Sequence, residues 1–239
     1  MELYVHGVTD PGPFLSAQDL FETEFDLDRP VHVELDVDPE ARTWAAHYDG
    51  HHVLNVSRRV ATSAMARELA LHELCHMHRY EQGHVSHRQS TREALYLALA
   101  DPNPPRHLAY HGLQIANHMR DIYADDLTLS LAPADKLVAF LESSLAAAVR
   151  DGHPDAPERA SITAVNAAFA LGLCERHALV DTDHRLYDLA HAAAADAPAV
   201  ALERFKRTFA TLPEAPTERE FRRGLVDTIR DYADGTAGA

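Results

Sequence analysis

The sequence predicts an α+β protein in which helices dominate. Three short runs in the first sixth of the chain or just beyond it alternate apolar and polar residues with the period of two that half-buried strands require. From about residue 63 onward, apolar residues instead recur at helical spacing, segment after segment, with Pro- and Gly-bearing breaks between them.

The elements follow in order. Residues 3–8 read as a first short strand, Asp10-Pro11-Gly12-Pro13 as a turn, and residues 17–21 as a short helix. Residues 31–35, 43–48 and 52–56 are the alternating runs, and Asp49-Gly50 between the last two is a hairpin turn. A small antiparallel sheet is the expected result. The first long helix starts after Thr62 or Ser63, either of which suits an N-cap, runs to Tyr80 and is ended by Gly83. A polar loop over 82–91 leads to a helix at 92–99, and Asp101-Pro102-Asn103-Pro104-Pro105 breaks the chain. Helices are predicted at 107–129 and 135–149. The run from Asp151 to Pro157 is the expected domain boundary, dividing residues 1–150 from a helical region at 151–239 with helices near 160–176, 183–196, 199–211 and 217–232.

One motif carries chemistry. His72-Glu73-Leu74-Cys75-His76 places two histidines four residues apart, one helical turn above each other on one face, so both imidazoles can point at one tetrahedral ion. Glu73 beside them can take a proton from an attacking water. With 17 histidines in the chain, a chance match has a probability of about 8%, so context must decide. Leu69, Ala70, Leu71, Leu74 and Met77 make this helix a buried one, where two histidines and a glutamate are costly without partners. A metal would supply them. The third helix offers a further polar stripe, His118, Asp121 and Asp125, beside the apolar Ile115, Met119 and Ile122. Such a stripe is often only a solvated face, but opposite a buried HExxH helix it is a source of a third ligand.

A hairpin, an HExxH helix and a later helix reading Asp121-Ile122-Tyr123-Ala124-Asp125 together resemble the gluzincin metallopeptidases, in particular the minigluzincins and the catalytic domain of the CAAX-processing and heat-shock-type peptidases. The resemblance covers residues 40–130. It implies a zinc peptidase with His72, His76 and Asp121 as ligands, Glu73 as general base and Asp125 bracing His72, and an extended substrate paired with an outer strand at 52–56. The family carries Glu where this chain has Asp121, one methylene shorter. End to end, the chain resembles an uncharacterised haloarchaeal family. The run Gln82-Gly83-His84-Val85-Ser86-His87 resembles the later glycine-histidine ligand segment of SprT-like proteases, which makes His84 and His87 rival third ligands; His118 is another. Cys75 reads as a packed thiol, and Arg120 and Tyr123 as oxyanion donors or structural groups.

The expected activity is hydrolysis of peptide bonds in a peptide or flexible protein segment. Its rivals are a zincin-like regulatory or binding protein with a structural zinc and no turnover, and a sensor peptidase that cuts a repressor. Composition narrows the partners. Lys and Arg total 22 against 37 Asp and Glu, a formal charge of −15, which disfavours nucleic acid and anionic membranes. Two cysteines, no apolar leader and no 18-residue apolar run suggest a cytoplasmic protein. Lys136 and Lys206 are the only lysines, and such an acidic, arginine-biased chain fits a halophilic source. Stability is therefore expected to rise with KCl into the molar range as carboxylate repulsion is screened. Thermal melts across that range test it, and a flat or falling melting temperature would assign the composition to coding bias.

Overall fold

Strand direction in the first third of the chain follows from its connections. The structure, a computed structural model, describes all residues except 8, 9, 40, 102, 153, 154, 198–201 and 237–239; the ends expected at Val8 and over 199–201, and parts of the breaks at Pro102 and 153–154, lie outside it. Strand β1 (Leu3–Val5) is followed by helix α1 (Gly12–Phe21) and strand β2 (Val31–Asp36). Neighbouring parallel strands need a crossover rather than a tight turn, and α1 supplies it: β1 and β2 are parallel. Strands β3 (Trp44–His47) and β4 (His52–Ser57) form the expected hairpin, closed by Tyr48 N–H donating to the His51 carbonyl at 2.9 Å. The sheet order is β1-β2-β4-β3, with β4 parallel to β2.

Two expectations are corrected here. The sheet is mixed, not antiparallel, because period-two alternation identifies a strand without giving its direction. The stretch expected to be the outer strand, 52–56, is an inner one. His52, Val53, Leu54 and Val56 are all buried, so β4 is covered on both faces and belongs between neighbours. Strand β3, with Trp44 exposed, takes the edge.

Helices α2 (Arg58–Ala61) and α3 (Ala66–Glu81) follow the sheet. The residue before α3 is Met65, without a side-chain cap. Ser63 instead accepts from the Met65 amide at 3.2 Å, which delays the helix start beyond the expected cap. Helix α4 (Val85–Arg88) occupies part of the expected polar loop, and α5 (Thr91–Leu99) is capped by Ser90, whose side chain accepts from the Glu93 amide. Helix α6 (Arg106–Leu131) is a single unbroken rod. Helices α7 (Asp135–Asp151), α8 (Pro157–His177), α9 (Arg185–Ala194), α10 (Leu202–Ala210) and α11 (Glu218–Thr236) complete the described chain. The architecture is thus α+β and helix-dominant.

The chain forms two compact units, but not on either side of residue 150. One comprises Met1–Arg88 with Tyr123–Lys136, the other Gln89–Ile122 with Leu137–Ala239. The break near 151–157 separates α7 from α8 inside the second unit. In the first unit Phe14, Phe21, Val31, Val33, Leu54, Leu71, Leu74 and Met77 share one core with Ala124 of α6. This core fixes α3 against the sheet and against the end of α6. In the second, Leu141 and Leu145 of α7 pack with Leu171 of α8 and Leu186 of α9. Gly172 lets α10 approach α8 closely, since a Cβ there would stand 2.7 Å from Phe209 Cβ and 2.9 Å from the Lys206 carbonyl oxygen. Among the described residues no helix is long and apolar enough to cross a membrane.

Candidate metal centre

Helix α3 buries Ala70, Leu71, Leu74, Cys75 and Met77, and that packing sets its rotation. His72 and His76, one turn apart, are left half-buried on the face toward α6, with Glu73 buried between them in sequence. Arg79 locks the register of the two helices by donating from Nε to the Tyr123 carbonyl at 3.0 Å. The hydrogen bonds around the two imidazoles then decide which ring nitrogens carry hydrogen.

Asp125 is buried on α6 and, as a carboxylate, only accepts. His72 therefore donates to it from Nδ1, at 2.7 Å, and keeps a lone pair on Nε2. For His76 the chain of donors and acceptors starts at a backbone amide. The Ser86 N–H donates to His84 Nδ1 at 3.4 Å, so that nitrogen carries no hydrogen. Burial, followed by the charge of Arg79, pushes the His84 pKa down to about 4 and keeps the ring neutral. Ser86 Oγ, 2.7 Å from the same nitrogen, must then be the donor there. It in turn receives the Nδ1–H of His87 at 2.8 Å, leaving His87 Nε2 to accept from His76 Nδ1 at 2.7 Å. His76, like His72, is left with its lone pair on Nε2.

These two Nε2 atoms lie 3.0 Å apart. Two neutral rings in this position repel, and a cation, or a proton shared between them, within reach of both nitrogens relieves that. Two imidazole nitrogens bound at about 2.05 Å to one tetrahedral ion stand about 3.3 Å apart, close to the distance found. Asp121 lies on α6 one turn before Asp125, and the helix is unbroken between them. Its carboxylate completes a group with His72 and His76 whose ligand atoms all fall within 4.8 Å of one another. Two imidazoles and a carboxylate suit a divalent transition metal, and the donor set fits one.

The rival ligands are directed elsewhere. His87 braces His76, and His84 closes the relay through Ser86. His118 turns to α8, with Nε2 2.8 Å from Asn166 Oδ1 and its ring stacked 4.3 Å from Phe169; its Nδ1 is 3.7 Å from Asp121 Oδ2. Arg120 donates to the Gln89 carbonyl and to Thr91 Oγ1. Tyr123 is fully buried, 4.8 Å from the His84 ring. Cys75 is a buried thiol whose pKa burial pushes up to about 12, the packed group expected. What the sequence did not reveal is the bracing role of His87 and the bridging hydroxyl of Ser86. The only signal was a polar His-x-Ser-His run directly after a helix-ending glycine.

This arrangement ranks the residues by their effect on metal binding. If His72, His76 and Asp121 hold the ion together, Asp121→Ala is expected to strip added Zn2+ on mild dialysis. Asp125→Ala and His87→Ala each free a ligand ring to turn, and typically cost 10–100-fold in affinity. His118→Ala should leave zinc content intact. Competition with a chromophoric chelator measures all four, and full retention of metal by Asp121→Ala would remove it from the ligand set.

No curated protein and no solved structure matches the chain. A protein family described as a family of unknown function, DUF5781, matches residues 1–234. The chain with this imidazole pair and its two carboxylate-bearing helical turns is a member of the DUF5781 family.

Proposed function

We propose that this protein is a zinc-dependent peptidase acting on a peptide or a flexible protein segment. The observation that carries the reading is the His72–His76–Asp121 group, whose ligand atoms lie within 4.8 Å of one another, with each imidazole held from behind by a separate hydrogen-bonded partner. His72, His76 and Asp121 would hold the ion. Zinc, when bound, supplies a Lewis acid that acidifies water and polarises a carbonyl.

The chain's own groups account for the rest. Glu73 follows His72 on α3 and is buried; in this reading it would accept the proton of an attacking water and pass it to the departing amine. Asp125 holds the His72 ring in one tautomer and one orientation, and the His87–Ser86–His84 relay does the same for His76. Neutral imidazoles leave most of the ion's charge available to polarise substrate. A tetrahedral ion held by these three protein donors would keep one position for water, the arrangement that turnover requires.

Glu73→Gln tests the mechanism. The variant is expected to fold and to keep its zinc while losing hydrolysis of any peptide that the parent cleaves, because the base is not a ligand. Digestion of an unstructured peptide library, read by mass spectrometry beside zinc content, provides the comparison. Equal cleavage by both proteins would refute the mechanism.

A further inference from the structure

A second directed relay ends beside the metal centre and is not needed to hold it. Glu81, the last residue of α3, accepts from the Asp28 amide at 2.8 Å, from the Arg29 amide at 3.1 Å and from His52 Nε2 at 2.9 Å. His52, fully buried on β4, therefore carries its hydrogen on Nε2 and offers only a lone pair at Nδ1. His47 Nδ1 stands 3.1 Å from that lone pair and must donate to it. The remaining ring nitrogen of His47, Nε2, is thus an acceptor only. The tautomer cannot reverse without breaking the bond to Glu81.

Geometry says where that acceptor points. His47 and His52 are register partners on β3 and β4, so the side of the ring opposite Nδ1 faces away from β4, toward the unpaired edge of β3. The ring stacks 4.0 Å from Tyr80 at an interplanar angle of 12°, which puts it on the α3 side of the sheet. Tyr80 is one helical turn beyond His76. Among the described residues no protein group meets His47 Nε2. Burial first, and then the neighbouring His52, His76, Arg29 and Arg88, push the His47 pKa down to about 4, so at neutral pH the ring is not a cation.

Resting on the peptidase reading, we infer that His47 is a specificity-determining residue whose Nε2 selects a substrate side chain bearing a neutral hydrogen-bond donor: Ser, Thr, Asn or Gln. A chain added to a free sheet edge uses backbone groups for pairing, and pockets for alternate side chains give it specificity. The side chain across from His47 on the same face lies within contact distance of it. A carboxylate there would meet the lone pair of His47. An ammonium or guanidinium would meet the field of Arg88 and Arg29, whose guanidinium carbons lie 4.5 and 5.8 Å from the Tyr80 ring centre. An aliphatic side chain would desolvate the acceptor without replacing its hydrogen bond.

The test measures binding rather than turnover. Peptides ending in a zinc-binding hydroxamate, with Asn, Leu, Asp or Lys placed in turn at each of three positions, are titrated into zinc-loaded protein by calorimetry, with metal-free protein as control. At one position the Asn peptide is expected to bind about tenfold or more tightly than the other three. His47→Phe, which keeps the stack on Tyr80, should abolish that preference with zinc content unchanged and the Leu peptide bound at least as tightly as by the parent. His47→Gln, which can donate as well as accept, should admit the Asp peptide. Zinc-dependent binding without discrimination, or discrimination that survives in His47→Phe, overturns the role of His47 and leaves the peptidase reading standing. Failure of every hydroxamate to bind in a zinc-dependent way overturns both.

Discussion

Two imidazole nitrogens 3.0 Å apart, on rings that are each held from behind, constrain everything around them. In a half-buried site two neutral rings so placed repel unless a cation or a shared proton answers them, and an imidazole pair could otherwise relieve the contact by rotating or changing tautomer. Here both escapes are blocked. Asp125 anchors one ring from α6, while a backbone amide, a hydroxyl and two further imidazoles anchor the other from the segment after α3. Supports of this kind, lying behind metal ligands, fix ring orientation and raise ligand basicity. Their presence on both rings distinguishes the site from a pair of histidines that happen to share a helix face.

The fold supplies rigidity where the chemistry needs it. Helix α3 is pinned by a core drawn from α1, the sheet and Ala124 of α6, and Arg79 ties its last turn to the α6 backbone. Sites built on helices are held more closely than sites on loops, and both histidines and both aspartates are helix-borne. Strand β3 lies beside this helix at the edge of the sheet, so the imidazole pair and the sheet edge are features of one unit. The Glu81–His52–His47 relay connects them. It applies the same device twice: a fixed acceptor or donor at one end dictates which ring nitrogen is bare at the other.

Much of this was legible in residues 72–76 and 121–125, because helical periodicity converts spacing directly into a shared face. The buried character of α3 was equally legible from Leu71, Leu74 and Met77. Sheet order was not: alternation marks 31–35 and 52–56 as strands alike, and only the crossover through α1 and the double-sided burial of β4 determine that β3 is outermost. The division into units was missed for a related reason. Asp151 to Pro157 breaks the helical pattern, but α7 buries Leu141 and Leu145 against α8 and α9, so the break is internal to a core. The relays were illegible because they join residues across turns and between elements. His47 and His52 flank a hairpin, and His87 reaches back to His76 only because Gly83, at φ +67°, reverses the chain.

The tautomers of His72 and His76 are the point on which the account turns, and they are observable. Long-range 1H–15N correlation spectra of the protein, recorded as one equivalent of Zn2+ is added, report which ring nitrogens carry hydrogen and which bind the ion. The predicted result is two rings protonated on Nδ1 throughout, with both Nε2 resonances shifting on addition of metal and saturating at about one zinc per chain. A hydrogen on Nε2 of either ring in the zinc-treated protein, or Nε2 resonances that do not move, would contradict it.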